Sequence, residues 1–157
     1  MKNTSLCYIE HNGKVLMLYR NKKKDDANKG KWIGIGGKFK ENESPEECML
    51  REVYEETGIK LSKWKYRAVI TFVSDSCEGE YMHLFTAKAD SFDFIECTEG
   101  ELKWIDKANL FSLNMWEGDK AFLELINKNE DFFSLKLCYK GDKLIRVLKN
   151  GKEESVY

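Results

Sequence analysis

The chain has 157 residues and a nearly balanced charge, with 26 basic and 27 acidic side chains, which fits one domain and gives no overall attraction for nucleic acid. The N-terminal segment MKNTSLCYIE lacks the apolar stretch of a signal peptide, and no apolar run approaches ~18 residues, so we expect neither secretion nor a membrane span. Five cysteines without a CxxC pair, together with two histidines, favour reduced thiols in a cytoplasmic protein over a zinc site.

The first predicted element is a β-hairpin. Residues 5–10 and 14–19 are predicted strands, and the Asn12-Gly13 pair between them is a typical two-residue hairpin turn. The next segment, 20–42, is expected to be mostly loop. Its glycine-rich part, GKWIGIGGKF, allows the backbone to approach a phosphate or a metal closely.

A helix is predicted directly after this loop. Ser44 and Glu47 fit a capping box, Pro45 suits the first helical position, and Gly58 suits the left-handed position after the last turn. At about 100° per residue, one side of the helix is apolar and the other is acidic. The apolar side is predicted to contain Met49, Leu50, Val53 and Thr57, and the acidic side Arg51, Glu52, Glu55 and Glu56.

The acidic side of this helix is unusual, because its carboxylates repel one another. Glu52 is three residues from Glu55 and four from Glu56, so the three side chains can converge. The helix dipole also disfavours negative charge at this C-terminal end. A solvated amphipathic helix is the alternative interpretation. A divalent cation bound between the carboxylates accounts for the pattern better.

The second half of the chain predicts more strands and another helix. β-Branched and aromatic runs predict strands at 66–73, 81–89, 101–105, 132–138 and 144–148. A helix is predicted over Asp119–Asn127, with an apolar side facing the core. Strands before and after both helices predict an α/β fold with a mixed β-sheet between helices.

The segment Gly37–Ile59, GKFKENESPEECMLREVYEETGI, carries a family resemblance. Its glycines, acids and arginine match every position of the Nudix box, at fixed spacing. The chain therefore resembles the Nudix hydrolases, which cleave nucleoside diphosphates linked to another moiety. The resemblance implies one Nudix domain over 1–157, folded as an α/β/α sandwich around a mixed sheet.

The same resemblance implies a Mg²⁺ site, with Mn²⁺ as a possible substitute. Mg²⁺ takes oxygen ligands, and these commonly include carboxylates. The implied ligands are the Gly36 carbonyl and the carboxylates of Glu52, Glu55, Glu56 and Glu99, with Glu101 as a rival to Glu99. Glu52 is implied to be a ligand, the general base, or both, and Arg51 to orient the glutamates. Glu43 is expected to hold the loop to the helix.

A second resemblance concerns the substrate. The segments KWIGIGGKF and LKWIDKANLFSLNMWEGDKAF resemble the MutT-type hydrolases of oxidised purine nucleotides. This resemblance implies that a purine stacks on Trp116 and is read by Asp119. Core packing of Trp116 and an N-cap role for Asp119 are the alternatives.

The resemblance implies further substrate contacts and also shows two departures from the family pattern. Arg20, Gly37 and Lys38 match positions beside the substrate, with Lys38 placed to meet a phosphate. Ile33 stands where the family often has Asn, and Gly118 where related proteins carry a second Asp. Both differences are expected to weaken recognition of the base.

Together these patterns predict Mg²⁺-dependent hydrolysis of a nucleoside triphosphate to a nucleoside monophosphate and pyrophosphate. The expected substrate is a purine nucleotide, including oxidised ones such as 8-oxo-dGTP. The alternatives are a Nudix phosphohydrolase acting on a sugar nucleotide or an RNA 5′ end, and a nucleotide-sensing module without catalysis. The nucleotide is the only partner expected, and the chain is expected to be a monomer or a homodimer.

Overall fold

The fold places two helices on opposite faces of a mixed β-sheet. A computed structural model describes residues 1–156 of the chain. The strands are β1 (Lys2–His11), β2 (Lys14–Tyr19), β3 (Trp32–Ile33), β4 (Ile35–Lys38), β5 (Lys63–Ser74), β6 (Glu80–Lys88), β7 (Glu101–Asp106), β8 (Phe133–Lys140), β9 (Lys143–Lys149) and β10 (Lys152–Glu154). The α-helices are α1 (Pro45–Thr57) and α2 (Glu117–Asn127), and a 3₁₀ helix spans Lys107–Ser112.

The sheet combines parallel and antiparallel pairs. Its strand order is β10-β9-β8-β5-β6-β1-β2-β3, with β4 paired to β1 and β7 paired to β2. The β1–β6 and β5–β8 pairs are parallel, whereas the other pairs are antiparallel. Strand β1 therefore lies near the centre and is bordered by three different strands.

Each helix covers its own hydrophobic cluster. Met49 and Val53 of α1 are fully buried in one cluster with the core side chains of β1 and β2. Phe122 and Leu123 of α2 lie in a second cluster with side chains from β1, β5 and β8. The predicted α/β/α sandwich with a mixed sheet is confirmed.

The predicted ends of α1 agree with the structure. The Ser44 hydroxyl accepts a hydrogen bond from the Glu47 amide at 3.1 Å, and the Glu47 carboxylate accepts one from the Ser44 amide at 3.0 Å. Gly58 has a φ of 75°, a left-handed conformation that most other residues adopt only at a cost. These contacts fix where α1 begins and ends, and so which carboxylates face the site.

Some elements differ from the sequence prediction. Segment 20–42, predicted to be mostly loop, contains the short strands β3 and β4, which form by pairing with β2 and β1. The 3₁₀ helix and β10 were not predicted. Helix α2 begins at Glu117 rather than Asp119. Strand β2 has the predicted bounds, and the other predicted strands are present with shifted ends.

The sequence analysis predicted no membrane-spanning segment. Within residues 1–156, no helix combines the length and the apolar character needed to cross a bilayer.

Candidate active site

Two glycines of β4 shape the floor of the site. A Cβ at Gly36 would lie 2.7 Å from the carbonyl carbon of Ser5, because β4 runs directly beside β1 there. A Cβ at Gly37 would lie 2.5 Å from Oε2 of Glu52, so this carboxylate rests directly on the strand backbone. Ordinary side chains at either position would collide with these groups. The glycines therefore bring β1, β4 and α1 close enough to form one site.

Arg51 links the loop to the helix. Its Nε and Nη2 donate to the two carboxylate oxygens of Glu43 at 2.7 and 2.8 Å, and Nη2 also donates to the Lys38 carbonyl at 3.0 Å. The hydrogen bonds from Arg51 lower the pKa of Glu43 to about 2. This geometry agrees with the structural role expected for Glu43.

The same guanidinium holds two of the implied catalytic glutamates. Nη1 of Arg51 donates to Glu52 at 2.7 Å and to Glu55 at 3.2 Å. Glu52 is largely buried, and burial raises the pKa of its carboxyl group. Glu55 is half exposed, with 53% of its side chain accessible. Arg51 thus contacts both carboxylates and leaves Glu55 open toward solvent.

Glu56 does not lie on the outer side of α1, where the sequence analysis placed it. It is 8% exposed and lies among the buried residues of the helix. The reason is geometric, because seven residues after Met49 the helix has made almost two full turns. Burial, followed by the neighbouring Glu99, raises the pKa of Glu56 to about 9.

Glu99 and Glu56 are neighbouring carboxyl groups whose pKa values shift in opposite directions. Burial alone would raise the pKa of Glu99, but hydrogen bonds from Glu56 and Lys23 and the charge of Arg20 lower it overall. Arg20 forms salt bridges with Asp26 at 2.6 Å and with Glu99 at 3.3 Å, so its contact with the carboxyl pair is made through Glu99. Glu101, the rival to Glu99, instead accepts a hydrogen bond from Asn21.

The residues present fit a divalent cation in two respects. Oε2 of Glu56 is buried without a hydrogen-bond partner in the described residues, and a buried oxygen of this kind is available to a metal. The Gly37 backbone also leaves room for the Glu52 carboxylate. Within residues 1–156, however, no three acidic, His or Cys side chains meet in metal-binding geometry. Arg51 holds Glu52 and Glu55, while Glu56 turns to Glu99.

A second group of residues surrounds Trp116, at the start of α2. The indole Nε1 donates to Asn28 Oδ1 at 2.8 Å, and the Lys31 ammonium lies 4.7 Å from the ring centroid. One edge of the ring packs against Tyr139. Trp116 is half-buried against the α2 cluster rather than enclosed in it. Part of the Trp116 ring is therefore exposed, and the Lys31 ammonium lies over it.

Asp119 lies inside the first turn of α2, so the alternative of an N-cap role is wrong. Trp116 occupies the N-cap position and Asp119 is 8% exposed. Burial, reinforced by the charge of Glu80 and opposed by Lys31, raises the pKa of Asp119 to about 7. A carboxyl group that carries a proton near neutral pH can both donate and accept hydrogen bonds.

Packing of α2 against β8 explains why a glycine occupies position 118 in this chain. Its amide donates to the Tyr139 hydroxyl at 2.8 Å, and a Cβ would lie 2.7 Å from Leu137 and 2.8 Å from that hydroxyl. A second Asp at this position would collide with β8. The departure from the family pattern at Gly118 therefore follows from how α2 packs on the sheet.

The structure separates Ile33 from the Trp116 group. Ile33 packs against the α1 cluster, whereas its neighbour Trp32 packs, like Trp116, against the α2 cluster. Tyr8 also lies on that side, and its buried hydroxyl has no hydrogen-bond partner of acceptable geometry in the described residues. The sequence analysis did not select Trp32 or Tyr8, because both occur in apolar strand patterns that indicate only core packing.

We expect Asp119→Asn to stabilise the protein at pH 8 but not at pH 4. The folded-state pKa of about 7 lies above the ordinary 3.8, so the contribution of Asp119 is complete below pH 4 and is lost as the pH rises through 7. Removing the buried charge should add roughly 1–3 kcal/mol to the free energy of unfolding at pH 8. Urea unfolding of both proteins at the two pH values measures this, and an equal difference at both would contradict it.

Comparisons with known proteins concern the family and the fold. The family described as NUDIX domain matches residues 2–126. The Nudix hydrolase YvcI of Bacillus subtilis is 31% identical over 136 residues, which cover 83% of this chain and 82% of that protein. The oxidized purine nucleoside triphosphate hydrolase of Danio rerio is 27% identical over 133 residues, covering 83% of each. The crystal structure of a MutT protein from Bacillus halodurans has a TM-score of 0.83 and 23% identity, covering 97% of this chain and 99% of that one.

The family match and the YvcI relationship show that this chain belongs to the Nudix family. It is a Nudix pyrophosphohydrolase, an enzyme class that generally uses divalent metal ions. The likeness to the MutT structure concerns the fold.

Proposed function

We propose that this enzyme hydrolyses purine nucleoside triphosphates, including oxidised ones such as 8-oxo-dGTP, to the monophosphate and pyrophosphate, with Mg²⁺ as cofactor. The observation that carries the proposal is the pairing of two sites. A set of buried and partly buried carboxylates lies on α1 and the segment before β7. A half-buried Trp116 with the buried Asp119 lies at the start of α2.

The reaction consumes one water and breaks the bond between the α and β phosphates. The water oxygen joins phosphorus, pyrophosphate leaves, and the water proton passes to a base. Bound Mg²⁺ supplies Lewis-acid stabilisation of the phosphate oxygens and activates water. Glu52 suits the role of base, because burial raises the pKa of its carboxyl group and so makes the carboxylate more basic, while Arg51 keeps it oriented.

The remaining side chains of the α1 site contribute binding and orientation. Glu55 and Glu56 would hold the cation together with the Gly36 carbonyl, and Glu99 would complete the set. Metal binding would release the proton that the raised pKa keeps on Glu56, because a carboxyl group binds a metal as carboxylate. Lys38 has no ion pair in the described residues and would meet the substrate phosphates.

Recognition of the base would depend on the residues around Trp116 at the start of α2. Trp116 offers a stacking surface, and the Asp119 carboxyl can donate a hydrogen bond to a purine edge below pH 7 or accept one above it. Tyr8 contributes a free buried hydroxyl on the same side of the sheet. Oxidised purines differ from ordinary ones in their hydrogen-bonding edges, so these polar atoms provide the means of discrimination.

A substrate screen tests the proposal. Purified enzyme with Mg²⁺ is offered ordinary and oxidised purine triphosphates, pyrimidine triphosphates, a sugar nucleotide and a 5′-triphosphate RNA, and pyrophosphate and phosphate are measured separately. We expect the highest kcat/KM with a purine triphosphate and release of pyrophosphate. Preference for the sugar nucleotide or the RNA, or release of phosphate alone, would overturn the proposal.

Trp116→Ala should raise KM for purine triphosphates and leave kcat nearly unchanged. Loss of stacking removes about 1–3 kcal/mol of binding, which corresponds to roughly 5- to 150-fold in KM. Steady-state kinetics measure the two constants. Trp116→Phe keeps an aromatic ring and should recover most of the loss, whereas an unchanged KM in Trp116→Ala would remove this residue from the substrate site.

A further inference from the structure

A basic cavity lies away from the active site, between α2 and the ends of β1, β5 and β6. Its volume is about 490 Å³, within the usual range for small-ligand sites. Glu10 lines it, whereas the active-site glycines pair with Ser5 and Leu6 on the same strand. Five residues of extended chain separate Ser5 from Glu10, or about 16 Å. The cavity and the active site are therefore distinct places on the sheet.

A β-bulge turns a buried arginine into this cavity. The β5–β6 register moves from Tyr66 to Ala68 and leaves Arg67 as the extra residue. Tyr66 packs on the α1 side and Ala68 on the α2 side, so the bulge changes which face the strand presents. Bulges frequently re-aim a side chain in this way.

Arg67 carries a buried charge without a carboxylate partner. It is 8% exposed, and no acid lies within salt-bridge distance among residues 1–156. Its guanidinium donates only long hydrogen bonds, to Thr86 Oγ1 at 3.2 Å and to the Ile126 carbonyl and Asn129 Oδ1 at 3.4 Å. A buried cation without a counter-ion is costly, and an anion in the cavity would offset that cost.

Three lysines add positive charge at the same place. Lys63 and Lys88 are direct cross-strand partners, an arrangement that like charges normally destabilise. Lys65 lies opposite Thr86 on the same face of the sheet. None of the three ammonium groups has an ion-pair partner in the part of the chain that the structure describes.

The acid that lines the cavity is already paired. Glu10 forms a salt bridge with Lys107 at 2.8 Å, so it does not neutralise the three lysines or Arg67. This concentration of positive charge contrasts with the net charge of −1 for the whole chain. It is therefore a local feature of the cavity.

We propose that this cavity is a second anion site that binds a small polyphosphate, either inorganic pyrophosphate or the phosphate tail of a nucleotide. Four positive groups match the charge of a diphosphate or triphosphate. The guanidinium plane of Arg67 suits two phosphate oxygens, and the lysines surround it as point charges. Trp64 also lines the cavity, but alternation along β5 places its side chain on the face opposite Lys63 and Lys65. Phosphate contacts rather than base stacking therefore define the ligand.

Amide chemical-shift titration tests the proposal on the whole chain, with EDTA present. Inorganic pyrophosphate, ADP and adenosine are added separately. Pyrophosphate and ADP should shift the amides of Lys65, Thr86 and Asn129, and adenosine should not. Shifts confined to Gly37 and its neighbours, or binding of ADP without binding of pyrophosphate, would overturn the proposal.

A matched pair of variants establishes which residues bind the anion. Lys63→Gln with Lys88→Gln should weaken pyrophosphate binding by roughly tenfold or more, because two charges of the cavity are lost. The control, Lys143→Gln with Lys152→Gln, removes the same charge from exposed lysines of β9 and β10 and should change Kd less than about twofold. Equal weakening in both double variants would show nonspecific attraction and overturn the proposal.

Single-stranded RNA is the competing ligand. A ten-nucleotide RNA that shifts the same amides and binds more than tenfold tighter than pyrophosphate would overturn the small-anion assignment. The predicted result is that RNA binds no tighter than pyrophosphate. The test does not depend on hydrolysis, so failure of the proposed catalytic function leaves it valid.

Discussion

Replacing Glu56 with glutamine is expected to remove nearly all hydrolase activity while leaving the fold intact. Glutamine has the shape of the protonated carboxyl group that the buried site already holds, so packing is preserved. It cannot act as an anionic ligand. Loss of that ligand should remove several kcal/mol of transition-state stabilisation, or roughly a 10³-fold fall in kcat. Steady-state assays with Mg²⁺ and a purine triphosphate measure the fall.

The same substitution should stabilise the metal-free protein at high pH. The folded-state pKa of Glu56 is about 9 against an ordinary 4.5, so the native state retains a proton that the unfolded chain loses. Its contribution to stability is complete below pH 4.5 and is lost as the pH rises toward 9. In EDTA, Glu56→Gln should therefore melt above the unsubstituted protein at pH 8 and close to it at pH 4.

Glu101→Gln provides the matched control for Glu56. Glu101 follows Glu99 closely in the chain but turns to Asn21, away from the carboxyl pair. We expect its activity to stay within about twofold, because surface substitutions of this kind change little. More than a tenth of the original activity in Glu56→Gln, or a comparable loss in Glu101→Gln, would contradict the assignment of Glu56 as a ligand.

The features that the sequence predicted well are those fixed by neighbouring residues. The capping box of Ser44 and Glu47 and the turn at Asn12-Gly13 act over a few positions, and both are present. The interaction of Arg51 with Glu52 and Glu55 is also local, because it stays within about one turn of the same helix. Such features follow from spacing alone.

The environment of Glu56 could not be predicted from the sequence and became clear only from the tertiary structure. The helical repeat places Glu56 almost above Met49, but the carboxylate pattern suggested an outward position instead. Glu99 lies in a loop before β7, and only the fold brings it to Glu56. No local pattern distinguishes it from Glu101. Sequence spacing therefore indicated the carboxylate set without revealing that Glu56 is buried beside Glu99.

Two further differences between the sequence prediction and the structure concern strand β4 and the start of α2. Strand β4 contains two glycines, which have low strand propensity, yet it forms because β1 supplies its hydrogen-bonding partner. Asp119 is polar and precedes an apolar helical pattern, so it resembled an N-cap, but α2 starts earlier and encloses it. For β4, pairing with β1 overrides a low strand propensity. For Asp119, the helix begins two residues before the position that looked like its N-cap.

Substitution of the two glycines of β4 by alanine should affect different properties: Gly37→Ala should lower the rate, and Gly36→Ala should lower the stability. In Gly37→Ala the new Cβ meets the Glu52 carboxylate, a movable side chain, so the fold should tolerate it while the carboxylate is displaced. A displacement near 1 Å in an active site costs on the order of 10²-fold in rate. In Gly36→Ala the Cβ meets the β1 backbone at Ser5, so the strands must separate, at about 3 kcal/mol or more.

Urea unfolding and kcat measured on the same preparations separate the two effects. Gly37→Ala should unfold within about 1 kcal/mol of the unsubstituted protein and turn over slowly, because Gly-to-Ala changes in a strand alter the backbone term only slightly. Gly36→Ala should unfold at markedly lower urea or fail to fold. A Gly37→Ala enzyme with full activity would mean that Glu52 need not rest on the β4 backbone during catalysis, and Glu52 would then lose its support as the base.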